Sequence, residues 1–177
     1  MRSCMSLVFT LVLLVLVAVP TRSQTNETLA SPPTVVEGSL DELRGKSRAR
    51  LLVIRSSVID VEGSAKSAAD AVRAGEFTQR KYRRTFNTIA AVLNKYMNKH
   101  RTITGVNSSG AVDFVIVFNL VRYRQILNYV YPSGELYVIA QPDEGPARLL
   151  WRTPKEMLAE DAAKKFVDAL KQLYGQK

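Results

Sequence analysis

The chain has 177 residues, 25 Lys and Arg against 16 Asp and Glu for a formal charge of +9, one cysteine and one histidine. That length suits one domain with its own core, while a lone cysteine excludes a disulfide framework and a thiolate metal site. The surplus of positive charge favours anionic partners, although simple solubility accounts for it equally well.

Met1 and Arg2 form a basic start. An apolar run from Leu7 to Val19, broken only by Thr10, leads to Pro20, Thr21, Arg22 and Ser23. This layout predicts a secretory signal peptide over 1–23, removed after Ser23. A helix of that apolar length rises only about 20 Å, short of the roughly 30 Å hydrocarbon core of a bilayer, so a spanning anchor fits less well. Cys4 precedes the apolar run, whereas a lipoprotein cysteine would follow it. Cleavage would also remove Arg2 and Arg22 but no acid, taking the charge from +9 to +7. Gln24–Gly38, polar and carrying a Pro-Pro pair, is expected to be a disordered linker, with a single domain over 39–177.

Ser39 with Glu42 makes a capping box for one helical turn, stopped at Gly45. Arg50–Arg55 is a predicted strand with the continuous apolar run of one covered on both faces, extendable through Val58–Val61. Ser64–Ala74 fits a short helix or a loop. From Thr78 to His100 the stripe Tyr82, Phe86, Ile89, Leu93, Tyr96 and Met97 predicts an amphipathic helix. A short strand over Thr102–Val106 and a turn at Asn107–Gly110 follow. Val112–Val121 is apolar on both faces and is expected to be central. Tyr129–Tyr131 and Glu135–Ala140 flank Pro132-Ser133-Gly134, which predicts a hairpin turn. A second turn at Pro142–Pro146 precedes a strand at Arg148–Arg152. Thr153 as cap, Pro154 next and Glu156 as the box acid predict the start of a last helix. Its buried stripe is Leu158, Ala162, Phe166, Leu170 and Leu173, and Gly175 ends it. The expected fold is an α+β two-layer sandwich. One mixed sheet of about five strands carries two long helices, in the order β-α-β-β-β-β-α, with Phe114, Ile116, Phe118, Trp151, Phe166 and Leu170 in its core.

The segments SLDELRGKSRARLLVI, AVDFVIVFNLV, GELYVIA, ARLLWRTP and AAKKFVDALKQLYGQ resemble a family of small exported acidobacterial proteins of unknown function. The element order is similar to periplasmic domains of curli-secretion channels, TolB amino-terminal domains and lipoprotein activators of penicillin-binding proteins. The resemblance implies an exported, non-enzymatic domain that binds an envelope partner.

Catalytic chemistry has little to stand on. His100, the only histidine, falls at the end of the first long helix, where it suits a carbonyl-capping role. No ligands at metal-site spacing accompany it, and no Gly-x-Ser-x-Gly elbow occurs. The paired acids read as helix starts, a turn and a strand exit. No cofactor is expected, and neither nucleic acid nor a transmembrane segment after signal removal. Two binding surfaces remain. Arg80, Lys81, Arg83 and Arg84 crowd cations at a helix start, where the dipole disfavours them and a counter-anion would help. The plainer alternative is a solvated helix face. Arg122, Arg124, Tyr129 and Tyr131, with Tyr123 and Tyr137, interleave cations and aromatics as anionic-polymer sites do. The plainer alternative there is half-buried strand tyrosines with wet hydroxyls. The expected function is an adaptor or binding domain of the bacterial envelope. Its partner would be an envelope protein or an anionic envelope polymer; the second reading is a small-ligand module with a pocket between helix and sheet.

Overall fold

The computed structural model describes residues 35–55, 82–105, 112–140 and 146–176. The predicted signal peptide, Val58–Val61, Ser64–Ala74 and Asn107–Gly110 lie outside them, as do Arg80, Lys81 and all but the last residue of the turn expected over Pro142–Pro146. Among the described residues the fold is α+β: a mixed seven-stranded sheet with two helices packed on it.

In chain order the elements are β1 (Val35–Glu37), a 3-10 turn (Leu40–Leu43), β2 (Arg48–Ile54), α1 (Arg83–His100) and β3 (Thr104–Gly105). Then come β4 (Phe114–Ile126), β5 (Tyr129–Ala140), β6 (Ala147–Arg152), β7 (Met157–Leu158) and α2 (Ala159–Leu173). The strands lie in the order β1-β6-β5-β4-β2-β3, with β7 also on β5. β1 pairs parallel to β6, and β2 parallel to both β3 and β4, whereas β4–β5, β5–β6 and β5–β7 are antiparallel.

Phe114–Leu120, the inner half of β4, is buried on both faces, as its unbroken apolar run requires. Alternate residues feed two clusters. Phe114, Ile116, Phe118 and Leu120 meet Ile89 and Leu93 of α1 and Phe166 and Leu170 of α2. Val115 and Val117 join Leu52, Tyr137 and Ile139 on the opposite face. Trp151 packs on Phe166 with ring centroids 5.2 Å apart, so the core expected from the sequence is assembled.

α1 leads from the end of β2 to β3, and β3 pairs with the beginning of β2 (Thr104 opposite Arg48). It therefore runs antiparallel to β2 and β4. α2 departs from β7, which pairs with Ser133 and Gly134, and late in its course approaches the end of α1, where Tyr96 Oη donates to Gln176 Oε1 at 2.9 Å. Both helices thus start at the end of the sheet where β4 and β5 form their hairpin. α2 closes with the paired carbonyl bonds of a glycine stop: the Gln176 amide donates to Lys171 (2.8 Å) and the Gly175 amide to Gln172 (3.3 Å), with Gly175 at φ +63°.

Four features differ from the sequence expectation. Val35–Glu37, inside the stretch read as linker, pairs along β6, because Val35 has an apolar cluster to join. Two short strands, β1 and β7, raise the count above five. Pro132-Ser133-Gly134 is not a turn but lies within β5; the reversal comes at Leu127-Asn128. Last, α2 begins at Ala159 and not at the Thr153 box. Thr153 is buried, and its Oγ1 accepts from the Leu136 amide (3.2 Å) while its own amide donates to the Leu136 carbonyl (2.9 Å). Glu156 is drawn to the hairpin. A cap needs its oxygen aimed at helix amides, and here Thr153 Oγ1 is taken by the Leu136 amide and the Glu156 carboxylate by the hairpin.

Where β2 and β4 enter the sheet, Asp113 accepts from the amides of Ser47 (3.0 Å) and Arg48 (2.8 Å) and from the Arg48 guanidinium (3.0 Å). Arg48, through its side chain and then its amide, holds the Asp113 carboxyl down at about 2.

Candidate functional site

The outer part of the β4–β5 hairpin stands clear of the sheet. β2 last pairs with β4 at Asn119, β7 reaches β5 only at Ser133, and β6 first meets it at Tyr137. The register shifts between Leu120 and Arg122, and from there the ribbon continues through Arg122↔Ser133, Tyr123↔Pro132, Arg124↔Tyr131, Gln125↔Val130 and Ile126↔Tyr129. At about 3.4 Å per residue, it projects roughly 17 Å.

Because side chains alternate, Arg122, Arg124, Ile126, Tyr129 and Tyr131 share one face, with the two tyrosine rings 6.4 Å apart. Tyr123, Gln125, Val130 and Pro132 share the other. Among the described residues, every exposed large apolar side chain except Val36 lies here: Tyr123, Ile126, Leu127, Tyr129, Val130 and Tyr131. Leu127 at the tip is 86% exposed. It also has φ +55°, a conformation that hairpin turns usually give to glycine. A leucine that is strained and bare to water gains nothing for the fold.

The base of the ribbon is clamped by Glu156. Its carboxylate accepts from both ends of the Arg122 guanidinium (2.9 Å each), from Arg124 (3.0 and 3.2 Å) and from the Ser133 hydroxyl. Partial burial alone would raise its pKa, but Arg122, Ser133 and Arg124 together outweigh that and bring it from an ordinary 4.5 to about 2. A carboxylate depressed on folding stabilises the folded state above its unfolded pKa, and that contribution is lost as protonation sets in. Stability is therefore expected to fall as pH drops from about 4.5 towards 2, with Asp113 losing its contribution over a similar range. Urea melts of the parent and Glu156→Gln between pH 7 and 2.5 check this: the variant should show the shallower decline, and identical slopes would remove Glu156 from the account.

The sequence spacing places Glu156 in a helix cap. Nothing local could reveal its partners, which lie 23, 32 and 34 residues earlier.

Four of the candidate binding residues, Arg122, Arg124, Tyr129 and Tyr131, come together on one ribbon face. Of the helix-start cations, Arg83 and Arg84 are exposed in the first turn of α1, which has no side-chain cap and no acid. Both surfaces lie at the same end of the sheet, since α1 starts where the hairpin leaves. His100 packs its ring against Tyr96 at 4.9 Å. Two concavities among the described residues lie away from the hairpin. One, of about 430 Å³, opens between α1 and the β2–β3 edge, lined by Leu51, Phe86, Met97, Asn98, Arg101 and Ile103 among others. A groove of about 750 Å³ separates the helices, with Lys95 and Lys99 facing Lys164 and Lys171. The last two are paired with Glu160 (2.7 Å) and Asp168 (3.1 Å). No group of three metal-ligating side chains occurs among the described residues, and none of their helices is long and apolar enough to cross a membrane. No family model, curated protein or solved structure matches the chain.

Proposed function

We propose that this protein is an exported, non-enzymatic binding domain of the bacterial cell envelope that recognises its partner through the β4–β5 hairpin. One observation carries the reading: among the described residues, every exposed large apolar side chain but Val36 is gathered on a clamped ribbon beyond the sheet. Contiguous patches of that kind mark interaction sites, whereas scattered apolar residues do not. The tripartite amino terminus supports export, and the resemblance to small exported domains agrees with it. The pocket between α1 and the β2–β3 edge favours a second reading, a small-ligand module.

The test is made in an exporting bacterial host. Intact mass of the recovered protein should place Gln24 first. A photo-crosslinking residue at Tyr129 should give envelope adducts, and the same residue at exposed Lys165 on α2 should not. Full-length chain retained in the membrane fraction would refute export by cleavage. Equal crosslinking at both positions, or none at Tyr129, would refute the hairpin.

A further inference from the structure

From the shape and chemistry of the ribbon, and resting on the reading above, we infer that its partner is the head-group layer of an anionic lipid bilayer, which the hairpin enters tip first. A partner with a flat surface buries one face of a ribbon, and an added strand uses its edges. Here large apolar side chains occupy both faces and the tip: Ile126 and Tyr129 on one, Tyr123 and Val130 on the other, Leu127 between. A medium that surrounds the ribbon covers all of them at once. Tyrosine favours the boundary between water and hydrocarbon, because its ring is apolar and its hydroxyl is wet.

Geometry sets the depth. Leu127 lies three residues beyond Arg124, about 10 Å along a strand, which matches the roughly 5–10 Å to which interfacial apolar groups sink. With Leu127 at that level, the solvent-exposed part of the Arg124 guanidinium lies at the phosphates, and Arg122, two residues nearer the sheet and also held by Glu156, adds to the local positive field. Deeper insertion is opposed, since the ribbon's edge amides and carbonyls would lose water without gaining partners. Charge agrees. Among the described residues at this end of the sheet, Arg55, Arg83, Arg84, Arg122, Arg124 and Lys155 outnumber Glu135, Glu156, Glu160 and Asp161, and Glu160 is itself paired with Lys164. A negative surface attracts such an end, and salt weakens that attraction within a Debye length of roughly 8 Å at 0.15 M. The positive φ at Leu127 then has a use: it keeps an apolar side chain at the apex, where glycine would build the same turn without it.

The experiment is co-sedimentation of the protein from an exporting host with vesicles of phosphatidylglycerol and phosphatidylcholine, or of phosphatidylcholine alone. The parent should bind the anionic vesicles, less at high salt, and bind the neutral ones weakly. Leu127→Gly relaxes the turn and so should melt no lower than the parent, yet bind about tenfold more weakly, the effect of leaving one leucine side chain in water. Equal binding by Leu127→Gly and the parent would overturn the inference, as would indifference of the parent to vesicle charge. If the parent ignores every vesicle while Tyr129 still crosslinks to an envelope protein, the lipid inference fails and the hairpin reading stands. If crosslinking fails as well, both fall.

Discussion

Gly134→Ala is expected to lower stability by about 3 kcal/mol or more. A Cβ built at Gly134 would lie 2.0 Å from the Asn119 carbonyl oxygen, 2.9 Å from its carbon and 3.0 Å from Phe118 Cζ. The nearest of these atoms are backbone, and Phe118 and Leu120 on either side are fully buried, so β4 cannot retreat. Overpacking of flexible side chains typically costs about 1–3 kcal/mol, and a rigid strand has fewer ways to yield. The close approach falls where the β4–β5 register shifts and the ribbon leaves the sheet. Denaturant melts give the measurement. A loss under about 1 kcal/mol would mean that the strands separate more readily here than their packing allows.

Phe166→Ala should cost about 3–5 kcal/mol. Phe166 is fully buried, its ring packs on Trp151 at 5.2 Å, and it belongs to the one cluster that joins α1, α2 and the sheet. Removing it leaves a cavity whose walls come from three elements and cannot all collapse together. The near-ultraviolet circular dichroism of Trp151, the only tryptophan, should weaken along with the melt. Lys165→Ala, one residue away and exposed, is the control and should stay within about 0.5 kcal/mol. A small loss for Phe166→Ala would show that α2 does not pack on the sheet.

Pro132-Ser133-Gly134 shows why one part of the fold was hard to read. Proline and glycine together signal a turn, yet this glycine is required for a close approach between strands and this proline is a strand residue with its partner at Tyr123. The true reversal, Leu127-Asn128, has no glycine at all, because an apolar leucine occupies the positive-φ position. Local composition therefore placed the turn about five residues late and divided one long strand in two. The basic and aromatic residues of the hairpin were still legible, since Arg122, Arg124, Tyr129 and Tyr131 stand out in any pass along the chain. Their exposure was not. Whether a tyrosine on a strand is half-buried or bare depends on which strands lie beside it, and β2, β6 and β7 all stop short.

The sequence by itself determined what depends on near neighbours and on period. The capping box at Ser39 and Glu42, the stripes of α1 and α2, the glycine stop at Gly175 and the two-sided burial of β4 all follow from residues within a turn or a strand of one another. From these the α+β class follows, because two amphipathic helices and a set of apolar strands have few ways to cover each other. Only the tertiary structure decided the rest. It took Thr153 and Glu156 from the helix cap they spell and gave them to Leu136 and to Arg122, Arg124 and Ser133. It also set Arg83 and Arg84 at the same end as a hairpin nearly forty residues further on. A cap and a clamp compete for the same oxygen atoms. The winner is decided by partners that pairing of β4 with β5 brings close, and no spacing along the chain records that meeting.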